Sequence, residues 1–305
     1  MSTWRALLED AERSLGDAGL PTPTVDARRI VEEAADQRDG ALALVVEEPA
    51  PTLAQRRVGA MVQRRRRGEP LQYVLGSWSF CGLDLFVDPR VLIPRPETER
   101  TAEIALDEAG RLGLRRGRSD PWRDLHGEEL VADLGTGSGA IALTLAAALP
   151  DAQVWATDRS PDALAVARAN LAGSAGPATR VRLARGDWFE AIPTELRGRF
   201  RLIVSNPPYV AEAEVAGLAA EIAGHEPLDA LVSGPTGLEA IERIVAGAPE
   251  FLTDAGGTLV VELAPHQADR AAQLARDAGF VEVRVERDLA DRERVLVARG
   301  GEAGG

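Results

Sequence analysis

The chain has no lysine. All 35 of its basic residues are arginine, set against 48 carboxylates, for a formal net charge of −13. Such a chain offers no broad cationic face for tracking a phosphate backbone, so direct nucleic-acid binding of that kind is not expected, although a small local basic patch is not excluded. The arginine usage accompanies abundant alanine and reads as genome base composition. Cysteine is nearly absent too. Cys81 stands alone, which excludes an internal disulfide or a thiolate metal cluster and leaves a small, half-buried apolar side chain. His126, His225 and His266 are scattered singly, without metal-ligand spacing, so no metal site is expected. No run approaches the roughly eighteen apolar residues of a membrane span, and the first residues lack a signal-peptide core. A cytoplasmic protein without membrane association is the expectation.

What is present is an ordinary globular composition, 45% apolar over 305 residues, enough for one large α/β domain and a smaller one. Residues 1–72 carry helical periodicity: Trp4, Leu7, Leu8, Ala11 and Leu15, then 26–35, then 53–66, broken by Pro21, Pro23, Pro49 and Pro51. The run Arg64-Arg65-Arg66-Arg67 closes the last helix and reads as a solvated, dipole-complementing end. From Tyr73 the period changes to alternation around Cys81-Gly82, predicting a β-hairpin that links the domains over 73–92. Pro94 and Pro96 stiffen the entry to a helix reaching about Gly110, and 111–128 reads as an exposed connector. Beyond it the pattern is βαβα, with strands at 130–134, 153–158, 180–184, 202–205 and 258–263, and helices near 139–149, 160–172, 237–253 and 266–278. Two alternating runs, 281–285 and 294–297, close the domain over 93–299 as an antiparallel hairpin, and 300–305 reads as a disordered tail.

The chemistry gathers at strand ends. Gly135-Thr136-Gly137-Ser138-Gly139 lies where the first of these strands turns into a helix, and glycines with free helical N–H groups suit close approach to a ligand. Asp158 ends the next strand, placed to accept both hydroxyls of a ribose. Gly135, Gly137, Ala140 and Asp158 fit a dinucleotide as well, so a nicotinamide enzyme stays open on these residues alone. Asp187-Trp188 ends the third strand, where a carboxylate beside an indole suits an adenine amino group and its ring; Trp188 as plain core is the alternative.

The fourth strand narrows the choice. Asn206-Pro207-Pro208-Tyr209 follows it directly: two prolines forfeit their amide hydrogens, and the Asn206 side chain adds a further carbonyl acceptor. Tyr209 contributes a flat face that walls the pocket. The box suits a planar NH2 group, an amide or an exocyclic amine, and supplies no general acid for hydride transfer. Facing a sulfonium methyl donor it makes chemical sense.

With these residues the chain resembles the class I S-adenosylmethionine-dependent methyltransferases that modify planar nitrogens. More narrowly, Glu69 to Gly76, Leu92 to Glu99, Asp187-Trp188-Phe189, Val204 to Val210, Glu226 to Leu231 and Arg287 to Ala290 resemble the bacterial protein-(glutamine-N5) methyltransferases of peptide chain release factors. The resemblance implies a Rossmann-like fold with a mostly parallel seven-stranded sheet, an antiparallel C-terminal strand and a small all-helical N-terminal domain that docks substrate. It implies S-adenosylmethionine bound at Gly135, Thr136, Gly137, Ser138, Gly139, Asp158, Asp187, Trp188 and Asn206. It implies a class 1 release factor as substrate, its Gly-Gly-Gln glutamine held by Asn206, Pro207, Pro208 and Tyr209. Asp291 and Ala264 stand where many relatives have glycine. An adenine N6-methyltransferase would use the same box on a flipped base, and a non-catalytic module docking on release factor would not need it.

Overall fold

The computed structural model describes residues 2–37, 41–114 and 129–301. They form two compact units, Met1–Trp78 with Ala219–His225, and Ser79–Leu218 with Glu226–Gly305.

The smaller unit is all helical. Thr3 caps helix Trp4–Asp17 by accepting from the Ala6 amide, and helix Pro23–Ala35 begins on its proline. Their apolar stripes meet that of Thr52–Arg66, closing a core around Leu15, Ile30, Val31, Val58 and Met61. Two short helices, Leu42–Val45 and Leu71–Leu75, are not legible in the sequence pattern. The second takes Tyr73 and Val74, which alternation assigns to the hairpin. Pro70 starts the turn and Gly76, at φ +76°, stops it.

The arginine run corrects another expectation. Arg65 is buried, donating to Asp26 at 2.6 Å and to the Glu69 carbonyl at 2.8 Å, with Glu221 3.2 Å away. Arg64 is bonded to the Glu69 carboxylate and to the carbonyls of Tyr73 and Val74. Only Arg66 and Arg67 are exposed. The first two arginines thus hold the segment after their helix, because a guanidinium has enough donors to satisfy several carbonyls at once.

A hairpin of β1 (Ser77–Phe80) and β2 (Leu83–Phe86) follows. Cys81 and Gly82 both take positive φ at its turn, which leaves Cys81 exposed rather than half-buried. Partial desolvation of its sulfur, then the Glu99 carboxylate, pushes the thiol up to about 11, so it is no nucleophile near neutral pH. After helix Pro96–Arg111 come β3 (Glu129–Leu134), β4 (Ala152–Asp158), β5 (Val181–Arg185), β6 (Phe200–Ser205), β7 (Val210–Ala211), β8 (Val232–Gly234), β9 (Thr258–Glu262), β10 (Glu282–Arg287) and β11 (Glu293–Arg299). Seven of these make one sheet in the order β10-β11-β9-β6-β3-β4-β5, parallel except that β11 runs antiparallel to both its neighbours. That is the expected fold. Strand interiors are apolar on both faces: Val131, Leu202, Val204 and Val260 pack under helices Pro96–Arg111 and Ala140–Ala148, while Leu130, Ile203, Leu259 and Val261 pack under Glu239–Phe251 and Ala268–Asp277. The small β7–β8 pair goes unread in the sequence, because such short strands carry no period.

The expected connector over 111–128, with His126, lies for 115–128 outside the described residues. The chain end corrects the expected tail: the Gly300 amide donates to the Gly257 carbonyl at 2.9 Å, so order extends past β11, while 302–305 lie outside the described residues. Asp291 sits at φ +60°, the left-handed conformation glycine would adopt, which aspartate tolerates better than most residues. No helix among the described residues is long and apolar enough to cross a membrane.

One buried charge cluster predicts a pH response. Glu108 accepts hydrogen bonds from Arg111, Arg284 and Arg299 at 2.6–3.0 Å. Burial alone would raise its carboxyl; the bonds from Arg299, Arg284 and Arg111 override that and hold it at about 2. A folded pKa below the unfolded value means stability present above the ordinary carboxylate range and lost as pH falls toward 2. Glu108→Gln should therefore cost about 2–3 kcal/mol at pH 7 and much less at pH 3, read from urea unfolding at both pH values.

Candidate active site

β3 and β6 are neighbours, yet the chain leaves them in opposite directions. From β3 it moves outward through β4 and β5, then returns to lay β6 on the other side. A crevice opens where such a reversal occurs, at the carboxyl ends of the two strands. Leu134 and Ser205 are in register there, and the Ser205 hydroxyl donates to the Leu134 carbonyl at 2.7 Å. The glycine turn and the Asn-Pro-Pro-Tyr box thus emerge side by side.

The turn is tightly organised. The Thr136 amide donates to the Thr157 carbonyl and the Gly139 amide to the Thr136 carbonyl, each at 2.8 Å. Gly135 has φ +72°, and a Cβ there would stand 3.2 Å from the Trp188 ring, so glycine is required both for the bend and for the indole. Asp158 braces the turn from β4: Oδ2 accepts from the Gly137 amide and Oδ1 from the Ser160 amide, both at 2.9 Å. Each oxygen keeps a lone pair for a further donor. Burial raises the Asp158 pKa and the two amide bonds oppose that rise. Beneath lies Asp133, whose Oδ2 accepts from the Thr136 hydroxyl at 2.6 Å and the Ala142 amide at 3.0 Å. Full burial pushes its carboxyl up to about 7 against those bonds, with the nearby Asp158 charge adding to the rise.

A cavity of about 820 Å³ opens over these residues, lined by Gly135, Thr136, Gly137, Ser138, Asp158, Asp187, Trp188, Asn206 and Pro208. Gly139, Pro207 and Tyr209 lie off its wall. Gly139 is the residue before helix Ala140–Ala148, with φ +84° and its Cβ position toward Ala167. Pro207 is buried. Tyr209 corrects the expectation of a pocket wall: its ring packs in the sheet core and its hydroxyl points to Glu262 Oε1 at 3.4 Å. Burial, then the Glu262 charge, pushes the phenol up to about 12, so it remains a donor. Trp188 takes both roles that the sequence leaves open, lining the cavity and packing on the core, at φ +52°. The Asp187 carboxylate receives Arg243 at 2.7 Å, which ties it to helix Glu239–Phe251 and leaves Oδ1 for a ligand.

Several supports escape sequence reading. Asn170 accepts from the Phe86 amide and donates to the carbonyls of Phe86 and Ser138, fastening β2 to the glycine turn. Glu226, buried, receives the Ile93 amide and Arg95, joining the segments 91–95 and 226–230 that border the cavity. Gln267 donates to the carbonyls of Tyr209 and Gly237 at 2.9 and 3.0 Å while accepting the Ala264 amide, so it anchors the end of the box. Ala264, at φ −76°, has no need of the glycine usual there. Asn206 donates through Nδ2 to the Thr98 hydroxyl at 2.9 Å, which leaves Oδ1 without a partner among the described residues. The box therefore presents an acceptor to the cavity. No group of three or more histidine, cysteine, aspartate or glutamate side chains among the described residues is placed to hold a metal ion.

Known proteins are similar to this chain in sequence. Residues 122–234 match the methyltransferase small domain and residues 6–76 the PrmC N-terminal domain. A release factor glutamine methyltransferase from Gloeobacter violaceus is 43% identical over 252 residues, 82% of each chain. One of the same name from Bordetella pertussis is 43% identical over 284 residues, 92% of this chain and 96% of its own. The chain belongs to the release factor glutamine methyltransferase family. A solved methyltransferase from Pyrococcus furiosus shares the fold, with a TM-score of 0.50 at 20% identity over 73% of this chain and 91% of its own.

Family membership brings S-adenosylmethionine as cofactor, and the residues fit it. The turn is open at Gly137, where a Cβ would meet nothing within 4 Å. Asp158 and Asp187 offer acceptors at separate points of the cavity wall, as a ribose and an adenine amino group require, and Trp188 supplies the aromatic face.

Proposed function

We propose that this member of the family transfers a methyl group from S-adenosylmethionine to the side-chain amide nitrogen of the glutamine in the Gly-Gly-Gln loop of a class 1 peptide chain release factor. The observation that carries the reading is the polarity of Asn206: its NH2 end is turned to Thr98 and its Oδ1 has no partner among the described residues, on a residue that lines the cavity beside the glycine turn. An acceptor there suits an incoming NH2 group.

S-adenosylmethionine supplies an electrophilic methyl group on a sulfonium: the carbon–sulfur bond breaks as the carbon–nitrogen bond forms, leaving a neutral thioether, and the amide nitrogen loses one proton to solvent. Gly135, Thr136, Gly137 and Ser138 would seat its amino-acid end, Asp158 would take the ribose hydroxyls, and Asp187 with Trp188 would take the adenine. An amide nitrogen is a poor nucleophile because its lone pair is delocalised into the carbonyl. Asn206 Oδ1 accepts one of its N–H bonds, orienting the nitrogen and stabilising charge that grows on it during transfer. Orientation of this kind supplies several of the roughly 7–11 kcal/mol that proximity contributes. Pro208 lines the cavity beside Asn206, and Tyr209, held from behind, keeps the box in shape. The helical unit, whose sequence matches the PrmC N-terminal domain, is assigned to substrate docking.

The box alone reads the same for adenine. Labelled methyl from S-adenosylmethionine should appear on purified release factor, not on its Gln-to-Ala variant, and not on DNA. Label on DNA with none on release factor would transfer the reading to adenine.

A further inference from the structure

Asn170 stands near the end of helix Pro161–Gly173, buried and off the cavity wall, with both polar atoms of its side chain engaged. Oδ1 accepts from the Phe86 amide at 2.7 Å, while Nδ2 donates to the Phe86 carbonyl at 3.0 Å and to the Ser138 carbonyl at 2.8 Å. Its partners fix which way the amide faces, because a backbone N–H can only donate and the two carbonyls can only accept. Toward β2 the side chain makes the pair of bonds that the backbone of a neighbouring strand would make. Its remaining hydrogen goes to the glycine turn.

The two ends of this bridge lead to two parts of one cavity wall. On one side, the Ser138 carbonyl is turned onto Asn170 while the amide of the same peptide, that of Gly139, donates to the Thr136 carbonyl at 2.8 Å. Glycine at 139 tolerates either sign of φ, so this peptide would be free to flip if its carbonyl were released. On the other side, Phe86 ends β2, and a few residues further Pro89, Arg90, Val91 and Leu92 line the same cavity as Gly135 to Ser138. Val87 and Val91 are buried, which holds the segment against the core. Apolar contact is non-directional, however, and the bonds at Phe86 are what set the segment's position along the helix.

We propose that Asn170 is a positioning residue for S-adenosylmethionine: one amide locks the Ser138 carbonyl and the Phe86 backbone in a fixed relation, and so sets the spacing between the glycine turn and the 89–92 segment of the cavity wall. It lies behind the wall and touches no reacting atom. Cofactor affinity depends on that spacing, and by reciprocity a cofactor seated at the turn tightens the hold on Phe86. The inference rests on the seating of the cofactor at the glycine turn.

The test uses full-length wild type, Asn170→Asp and Asn170→Ala, with S-adenosylhomocysteine as the probe. Calorimetry gives its affinity, and amide hydrogen exchange with and without it follows two segments, 135–143 at the turn and 84–88, which lies off the cavity wall. Aspartate is close in size and keeps an acceptor for the Phe86 amide but sets an oxygen against the two carbonyls; alanine removes all three bonds. In wild type, S-adenosylhomocysteine should slow exchange in both segments. Both variants should bind it about 10- to 100-fold more weakly, and at saturation it should still protect 135–143 but no longer 84–88. A merely structural role would speed exchange throughout the sheet and leave the two segments responding together. Wild-type affinity in folded Asn170→Asp, or in Asn170→Ala should the aspartate variant not fold, would overturn the proposal. So would protection of 84–88 that is absent from wild type or survives in the variant. Wild-type protein in which S-adenosylhomocysteine leaves 135–143 unprotected would overturn the seating of the cofactor at the turn instead.

Discussion

Asn206→Ala should lower the rate of methyl transfer at saturating substrate by about two to three orders of magnitude, while S-adenosylmethionine binds within a few fold of wild type. The magnitude is that of removing one preorganised hydrogen-bond partner of a developing charge. The separation of the two effects follows from place. Asn206 stands at the end of β6, whereas the other residues assigned to the cofactor stand at the ends of β3, β4 and β5. Only the wall they share, around Gly135 to Ser138, brings them together. Single-turnover transfer, with cofactor binding by calorimetry alongside, checks both halves. Transfer near the wild-type rate would remove Asn206 from the mechanism. Asn206→Asp is a weaker probe, because a carboxylate still accepts.

The opposite split is expected of Asp158→Ala. Its carboxylate holds the Gly137 and Ser160 amides at 2.9 Å and is assigned the ribose hydroxyls. The variant loses the ligand's bonds and also leaves two backbone donors of the turn unsatisfied. With charge-assisted bonds contributing about 1.5–3 kcal/mol each, cofactor affinity should fall about 100- to 1,000-fold. Transfer at saturating cofactor should recover to within about tenfold of wild type, since Asp158 is remote from Asn206 in the assigned roles. Calorimetry with S-adenosylmethionine gives the first number and rates at raised cofactor the second. Unchanged affinity would mean that the acid only braces the turn.

How much of this is legible in the sequence depends on how local the signal is. The glycine turn, Asp158, Asp187-Trp188 and the box each announce themselves within a few residues, since strand, turn and special residues are contiguous. Parallel topology then brings them to one rim. The supports are a different matter. Thr98 meets Asn206 across 108 positions of sequence, and Thr101 meets Glu262 across 161, so nothing near either residue signals the contact. Pro94-Arg95-Pro96-Glu97-Thr98 is visible as a stiff helix entry, but not as the element that turns Asn206. Arg64 and Arg65 show a related limit. A run of charge reads as solvent-facing until the carbonyls of Glu69, Tyr73 and Val74 are seen to converge on it. Tyr209 is expected on the cavity because it adjoins Asn206 in sequence, yet successive residues leaving a strand point different ways, and its hydroxyl finds Glu262 in the core.

The central claim is that an acceptor on Asn206 selects a glutamine amide of release factor for methylation. Mass spectrometry of release factor after incubation with the enzyme and S-adenosylmethionine tests it most directly. One added methyl group on the side-chain nitrogen of the Gly-Gly-Gln glutamine, absent when Asn206 is alanine, is the predicted result. A methyl group on another residue, or unmodified release factor from enzyme that demonstrably binds S-adenosylmethionine, would contradict it.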